Sequence, residues 1–222
     1  MNMWSKSGPS TRLVAVVCAG VVFAACRTGA PVRGAINSSR LSSGTVVASI
    51  ANPADVHFMS GMIPHHAQAV LIAGWASSHG ARADILRLCE RIVVGQRDEI
   101  VLMQFWLRQK GAPVPDAHAT HMKMQMNGVE HDMLMPGMLS PEQLAALDAS
   151  RGGAFNRLFL EAMIRHHQGA ISMVDELLGS EGAAQDDVVY KFASDVYADQ
   201  TTEIRFMEMM LATIPPSPDP HS

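Results

Sequence analysis

A repeated pair of adjacent histidines constrains the fold of this 222-residue chain more than any other feature. The segment GMIPHHAQAV at 61–70 returns as AMIRHHQGAI at 162–171. The repeat extends beyond the histidines. Six positions recur at a constant offset of 101 residues, namely Phe58/Phe159, Met62/Met163, Ile63/Ile164, His65/His166, His66/His167 and Ala69/Ala170. A chain that contains one structural unit twice is expected to bury the apolar face of each copy against the other.

A second set of matches shows that each copy contains two helices. Five positions recur at an offset of 104 residues, namely Ile92/Val196, Gln96/Gln200, Glu99/Glu203, Ile100/Ile204 and Met103/Met207. A helical hairpin cannot bury its apolar face alone, so two hairpins are expected to pair into a pseudo-symmetric four-helix bundle. Because no alternating strand pattern is found after the N-terminal region, the predicted fold class is all-α.

Helix signals define the predicted domain boundaries. The apolar periodicity predicts helices over 53–79, 81–110, 154–178 and 187–212. A short helix to about residue 150 is predicted after Ser140, where Ser-Pro-Glu-Gln is typical of a capped helix start. Gly152-Gly153 is expected to form the break between this helix and the next one. The predicted bundle spans 52–213. It consists of repeat one (52–111), a connector without helical period (112–139) and repeat two (140–213), with a disordered proline-rich tail at 214–222.

The N-terminus has the features of an export signal. Lys6 and Arg12 precede a thirteen-residue apolar stretch at 13–25, which is too short to span a bilayer comfortably. This combination predicts a signal peptide over residues 1–25.

A cysteine directly after the signal indicates a lipid anchor. The sequence FAAC before and at Cys26 resembles the lipobox of bacterial lipoproteins, although Phe23 occupies a position that usually holds leucine. Two outcomes stay open: acylation of Cys26, which anchors the protein at the cell envelope (periplasm or outer surface), and simple cleavage near Ala25, which releases it. Residues 26–51 are rich in Ser, Gly and Arg and are expected to form a flexible tether.

The charge of the chain excludes one class of partner. Its net charge is -4 and its isoelectric point is about 6.2, so it lacks the basic surface that nucleic-acid binding requires. Sixteen methionines and ten histidines are many for this length. Methionine is common core filler, so the positions of these residues decide their meaning.

The repeated segments bring soft ligands to one level of each hairpin. Met62 lies one helical turn before His65 and His66, so it neighbours both on the helix surface. Thioether sulfur suits Cu(I), and imidazole accepts either copper oxidation state. The predicted copper ligands of the bundle are Met62, His65, His66, Met103, Met163, His166, His167 and Met207, with Gln96, Glu99, Gln200 and Glu203 supporting them. In the simpler alternative, the methionines are core residues and the histidines are structural.

The connector holds a second group of soft donors. Nine of the twenty-one residues at 118–138 are His or Met, and polar residues interrupt any apolar face. Long loops of this kind usually have a function or are disordered. An extended chain would send Met122, Met124 and Met126 to one side, and a helix would align His118 with Met122 and Met126. We therefore expect a Cu(I) site that becomes ordered on binding copper, with the candidate ligands His118, His121, Met122, Met124, Met126 and His131.

These motifs together resemble a known family. Phe-x-x-x-Met-Ile-x-His-His, followed by Gln-x-x-Glu-Ile-x-x-Met and repeated after a Met-Pro-Gly-Met segment, is similar to the bacterial domain-of-unknown-function family 305 over about residues 52–213. The resemblance implies a ferritin-like four-helix bundle and export, and some members of the family bind copper. The two copies differ at Asp55/Asn156 and Ile72/Met173, which puts strict equivalence of the two sites in doubt.

The leading hypothesis is an exported copper-binding protein that sequesters copper or hands it to another copper-handling protein. Its ligand would be Cu(I), Cu(II) or both, and its membrane contact would be limited to the lipid anchor. One alternative is a helical interaction module with structural histidines. Another is a ferritin-like di-iron oxidase, which needs Glu-x-x-His motifs. The sequence contains no such motif, so no enzymatic activity is predicted.

Overall fold

The computed structural model describes residues 51–126 and 128–215. The predicted signal peptide, Cys26 and nearly all of the tether lie outside this part of the chain, as do residues 216–222 of the tail. The described part forms five helices and a two-stranded sheet: α1 (Pro53–Gly74), α2 (Ala83–Gln109), β1 (Met122–Met126), β2 (Val129–Met133), α3 (Pro141–Ala149), α4 (Gly152–Gly179) and α5 (Asp187–Ala212).

Four long helices form two hairpins. Helix α1 packs along α2, α4 packs along α5, and α1 meets α4 between the hairpins. This confirms the all-α class, and the arrangement fits the predicted bundle of two repeated hairpins. Among the described helices, none combines the length and apolar character needed to cross a bilayer.

The helix ends follow the sequence signals with two exceptions. Ser140 and Gln143 form the predicted reciprocal capping box at the start of α3. Helix α1 ends at Gly74, five residues before the expected end, because the chain tightens into turns that finish at Gly80, where φ is 69°. The predicted break between the short helix and the next long helix falls two residues earlier than expected, at Ser150 and Arg151, because α4 already begins at Gly152.

Apolar residues fill the two ends of the bundle and leave a polar layer between them. Each long helix contributes one segment to each of two core clusters, for example 58–67 and 69–73 of α1. On α2, α4 and α5 the positions between the two segments include the repeated His, Gln and Glu residues. We call this set the histidine layer: His65, His66, Gln96, Glu99, His166, His167, Gln200 and Glu203.

Equivalent side chains tie the two hairpins together at their ends. Asp55 of α1 accepts a hydrogen bond from the backbone N–H of Ala184, ahead of α5, at 2.7 Å. Asn156 of α4 accepts one from the backbone N–H of Arg82, ahead of α2, at 3.1 Å. Both repeats therefore keep an oxygen acceptor at this position, so the Asp-to-Asn difference does not change its structural role.

The connector is more regular than expected. The sequence predicted neither of its strands, yet β1 and β2 pair as an antiparallel hairpin in which Met124 lies opposite His131. The reason is that single polar residues between the methionines give the period-two alternation of a strand, with a turn at Gly128 (φ 79°). Directly paired positions share a face of a sheet. The register therefore places Met122, Met124, Met126, His131 and Met133 on one face.

Candidate metal centre

The four histidines of the layer are fully enclosed. His65, His66, His166 and His167 each have 0% of their surface exposed. The four methionines predicted as ligands are equally buried: Met62, Met103, Met163 and Met207. The helical spacing of the motif therefore places every predicted bundle ligand inside the protein.

The two repeats meet at their first histidines. The ring centroids of His65 and His166 are 3.8 Å apart and the rings are inclined by 40°. Within each pair the rings are farther apart, 6.2 Å for His65 and His66 and 6.4 Å for His166 and His167. The layer is thus a continuous row of imidazoles that crosses from one hairpin to the other.

Hydrogen-bond partners define which ring nitrogens carry protons. His65 Nε2 lies 3.0 Å from the carbonyl oxygen of Pro136, and His167 Nε2 lies 2.7 Å from a carboxylate oxygen of Glu203. A carbonyl and a carboxylate oxygen accept, so in both rings we assign a proton to Nε2. Nδ1 then holds a lone pair, and in both rings this atom is buried without a partner. A carboxylate or carbonyl that fixes the far nitrogen is the usual arrangement around a metal-binding histidine.

The other two histidines are less well satisfied. His66 Nε2 is 2.7 Å from Glu99 Oε2, but the contact lacks the alignment of a hydrogen bond, and neither nitrogen of His166 has a partner. Of nine unpartnered buried side-chain atoms in the described part of the chain, eight belong to the layer: His65 Nδ1, His66 Nδ1 and Nε2, His166 Nδ1 and Nε2, His167 Nδ1, Gln96 Oε1 and Gln200 Oε1. Such groups are rare in proteins because each one left unpaired is destabilising, and their concentration here indicates a ligand.

Burial also keeps the central histidines neutral. Desolvation, with a smaller contribution from the neighbouring His66, lowers the pKa of His65 to about 3. Burial likewise holds the pKa of His166 well below its ordinary value, with His65 adding to the effect. Protons therefore do not compete for these nitrogens near neutral pH, so their lone pairs are available to a metal.

The carboxylates of the layer reach the surface. The side chains of Glu99 and Glu203 are 26% and 25% exposed, and they line a cleft of about 280 Å³ between α2 and α5. Asp199 lines the same cleft, and desolvation together with the nearby Glu99 raises the pKa of its carboxyl. Sequence reasoning missed Asp199, since its repeat equivalent is Gly95. The Asp199 carboxylate on α5 therefore has no equivalent on α2.

The histidines of the connector lie at the surface and do not join the buried histidines of the layer. His121 lies on the surface, 3.3 Å from Asp132, and His131 is exposed. Met122 is half-buried against the core, and His118 is exposed. Met124 and Met126 belong to the same strand as Met122.

The C-terminal end of the connector packs tightly against the bundle, at positions where the repeats differ. Gln68 of α1 exchanges two hydrogen bonds with the backbone of Leu139, at 2.7 and 3.0 Å. Its repeat equivalent is Gly169, where a Cβ would meet the Pro136 carbonyl oxygen at 1.9 Å. This close approach brings that carbonyl to His65. Sequence reasoning missed Gln68, Pro136 and Gly169, although the mismatch of Gln68 and Gly169 within the repeat was a visible signal.

The part of the chain that the structure describes holds no ready-made metal cage of His, Cys, Asp and Glu side chains. Within residues 51–126 and 128–215, no three His, Cys, Asp or Glu side chains converge closely enough to hold an ion as they stand. Methionine sulfur and glutamine oxygen are further possible ligands. They come from the same helix as the histidines or from the helix paired with it. Any metal site in the layer would therefore use mixed ligands and small side-chain movements.

Comparisons with known proteins identify the family. The domain of unknown function DUF305 matches residues 55–211. A DUF305 fragment from Deinococcus radiodurans is similar at 30% identity, covering 73% of this chain and 97% of that chain with a TM-score of 0.59. CopM in its Cu(I)-bound form (26% identity, TM-score 0.54) and its Cu(II)-bound form (28%, 0.55) is also similar, each covering 71% of this chain and 95% of that chain.

No match was found among curated proteins. None of these similarities indicates an enzyme family, which agrees with the prediction from the sequence. The match covers more than half of the chain, including both histidine pairs, and the chain belongs to the DUF305 family.

Proposed function

We propose that this protein binds copper in the histidine layer and sequesters it or hands it on. The observation that carries the proposal is the row of four buried imidazoles with unpartnered nitrogens. Eight unsatisfied atoms in one layer would be destabilising without a ligand. The similarity to CopM, solved with Cu(I), Cu(II) and silver, supports a soft metal as that ligand.

The donor set also favours copper. In each repeat the adjacent histidines follow a buried methionine by one helical turn, and a second buried methionine comes from the paired helix. Thioether and neutral imidazole together suit Cu(I), and imidazole also binds Cu(II). The carboxylates of Glu99 and Glu203 would hold two of the rings in a fixed orientation from the far nitrogen.

The connector hairpin would supply a second, more accessible site. Its register gathers four methionines and a histidine on one face: Met122, Met124, Met126, Met133 and His131. Polar positions alternate with them on the other face, so the sequence alternation that forms the strands also sorts the soft donors. An exposed site of this kind could take up or pass on an ion that the buried layer holds.

The location follows from the N-terminal region. The predicted signal peptide over residues 1–25 and the lipobox-like Cys26 support export, with either a lipid anchor at the envelope or release as a secreted protein. We therefore place the proposed storage or transfer of copper outside the cytoplasm. The partner that receives the ion would be another copper-handling protein.

Equilibrium dialysis tests the central proposal. The purified chain is dialysed against micromolar Cu(I), kept reduced, and separately against Cu(II), and bound metal is quantified. We expect at least one copper ion per chain in one of the two states. Recovery of metal-free protein in both experiments would contradict the proposal.

A structural role for the histidines is the second candidate. The aligned His167–Glu203 hydrogen bond favours it, since that pair is satisfied without metal. If the histidines are only structural, replacing all four changes the melting temperature and leaves copper affinity unaltered. If they bind copper, the affinity falls in the same variants.

A further inference from the structure

Helix α2 has a second apolar face, on the side turned away from the bundle. Its buried residues, such as Ile92 and Met103, pack into the core. Val94, Val101 and Phe105 recur at i, i+7 and i+11, a spacing that places them together on the opposite side of the helix. Their side chains are 63%, 61% and 59% exposed. Single exposed apolar residues need no explanation, but a line of them along one helix indicates an interaction surface.

An acidic and a basic side chain lie at opposite ends of this line. Glu90 comes one helical turn before Val94, and Arg108 comes one turn after Phe105. The distance from Glu90 to Arg108 is about five complete turns, so both point the same way. Both are exposed, and neither side chain has an ion-pair partner among the residues that the structure describes. We call these residues the outer stripe of α2: Glu90, Val94, Val101, Phe105 and Arg108.

The outer stripe matches itself when two copies of α2 run antiparallel. The midpoint of Glu90 and Arg108 is residue 99, and the midpoint of Val94 and Phe105 lies between 99 and 100. A two-fold axis at this point sets Glu90 of each copy against Arg108 of the other, and Val94 against Phe105. The two Val101 side chains then meet beside the axis. One surface patch that pairs with its own copy in this way is the usual contact of a two-fold homodimer.

We infer that the outer stripe of α2 is a homodimer interface on which a second copy of this chain docks antiparallel. The charges favour this occupant, because each unpaired end of the stripe finds its opposite charge on the second copy. A parallel arrangement would instead bring Glu90 to Glu90 and Arg108 to Arg108. Near the axis, Arg97 and Asp98 carry opposite charges and add no net charge. The buried face of α2, which includes Gln96 of the histidine layer, points the other way, so the inference does not depend on copper binding.

Analytical ultracentrifugation tests the inference. The chain from residue 27 onward, which keeps every described residue and lacks the predicted signal peptide and anchor cysteine, is studied reduced and metal-free. Because each copy contributes only three large apolar side chains and two charges, we expect a reversible dimer with a dissociation constant on the order of 10⁻⁵ M. A chain that sediments as a monomer up to about 1 mM would overturn the inference, whatever the copper experiments show.

One substitution and a matched control locate the interface. Val101→Asp should weaken dimerisation by about tenfold or more, because it brings two carboxylates together at the axis. Tyr197→Asp is the control, since Tyr197 is an exposed aromatic residue of α5 outside the stripe. Both positions are exposed, so the helical circular-dichroism signal should stay unchanged in both variants. Equal effects of the two substitutions, or an unchanged dimer in Val101→Asp, would show that the copies meet elsewhere and would overturn the inference.

Exchange of the two charges tests the antiparallel register. Glu90→Arg and Arg108→Glu should each weaken the dimer by about fivefold or more, because like charges then face each other at both ends of the contact. The double variant Glu90→Arg/Arg108→Glu should recover the affinity of the wild type, since opposite charges are paired again. A double variant that stays as weak as the single ones would contradict the register and overturn the inference.

Discussion

The histidine layer and the connector hairpin carry similar donors in opposite environments. The four histidines of the layer and the four methionines beside it are fully buried and placed by helix packing. In the hairpin, His131 and Met133 lie on an exposed strand, and the register alone collects the donors on one face. Burial removes protons and water from a ligand but also restricts access to it. If both regions bind copper as proposed, the buried layer would hold the ion and the exposed hairpin would exchange it.

Removing the outer histidines of the layer should have the largest effect. We expect His66→Ala/His167→Ala to lower copper affinity by about 100-fold or more, because it removes two nitrogen ligands that carboxylates hold in a fixed orientation. Competition with a Cu(I)-specific chelator measures the change. The control is His79→Ala, since His79 is also buried but bonds Asp148 outside the layer. Equal losses in both variants would mean that the layer is not the site.

The buried histidines should make the metal-free protein sensitive to acid. The folded pKa of His65 is depressed to about 3, so below pH 6.5 the unfolded chain binds a proton that the folded protein excludes. The stability contributed by the neutral ring is thus complete above about pH 6.5 and falls as pH decreases toward 3. By pH 5 the loss for His65 should be about 2 kcal/mol.

Urea unfolding at several pH values measures this loss. The variant His65→Leu/His166→Leu should show a flatter dependence between pH 7 and 4 than the wild type, because both depressed rings are gone. The hairpin has no buried histidine in its described residues, so replacing His131 by Gln should leave the curve unchanged. Parallel curves for the wild type and the double variant would refute the assignment.

The connector meets the histidine layer where Pro136 contacts α4. Gly169→Ala would place a Cβ 1.9 Å from the Pro136 carbonyl oxygen, so the connector end must shift away from His65. We expect a loss of about 1–2 kcal/mol in unfolding free energy, measured by chemical denaturation. Gly153→Ala is the control, since its Cβ meets no atom within 4 Å and alanine favours a helix. Equal stability of the two variants would show that the contact is loose.

The hairpin methionines should have the smallest effect. Replacing Met122, Met124, Met126 and Met133 by serine should weaken Cu(I) binding by about tenfold, as one weak site is lost while the layer remains. The helical circular-dichroism signal should be nearly unchanged. Chelator competition measures the affinity, and unchanged Cu(I) binding would return the whole function to the layer.

The matched control for the hairpin uses the other two methionines of the connector. Met135 and Met138 are buried in the core, and the backbone N–H of Met135 donates to Met138 Sδ at 3.2 Å. Met135→Leu/Met138→Leu should therefore alter stability more than copper affinity. Ordering of the hairpin on copper binding stays a prediction, and hydrogen exchange with and without Cu(I) would test it.

The sequence alone was sufficient for the helices and for the composition of the layer. The repeat predicted two hairpins, the spacing of Met62, His65 and His66 placed them on one helical surface, and Ser140 marked the start of α3. All of these are local properties, because helix periodicity and capping involve residues only a few positions apart. The strand alternation of the connector was local too: an extended form that places Met122, Met124 and Met126 on one side was considered beside a helix, but the pairing with a second strand was not predicted.

Only the tertiary structure decided the contacts between distant segments. The contact of His65 with His166 and the contact of His65 with the Pro136 carbonyl join residues 101 and 71 positions apart. Such contacts depend on how the hairpins dock, which no local periodicity specifies. The protonation of the histidines follows from the same docking, since burial and partners set the pKa and the tautomer. The sequence by itself therefore determined which donors are present, and the fold decided which of them meet and in which state.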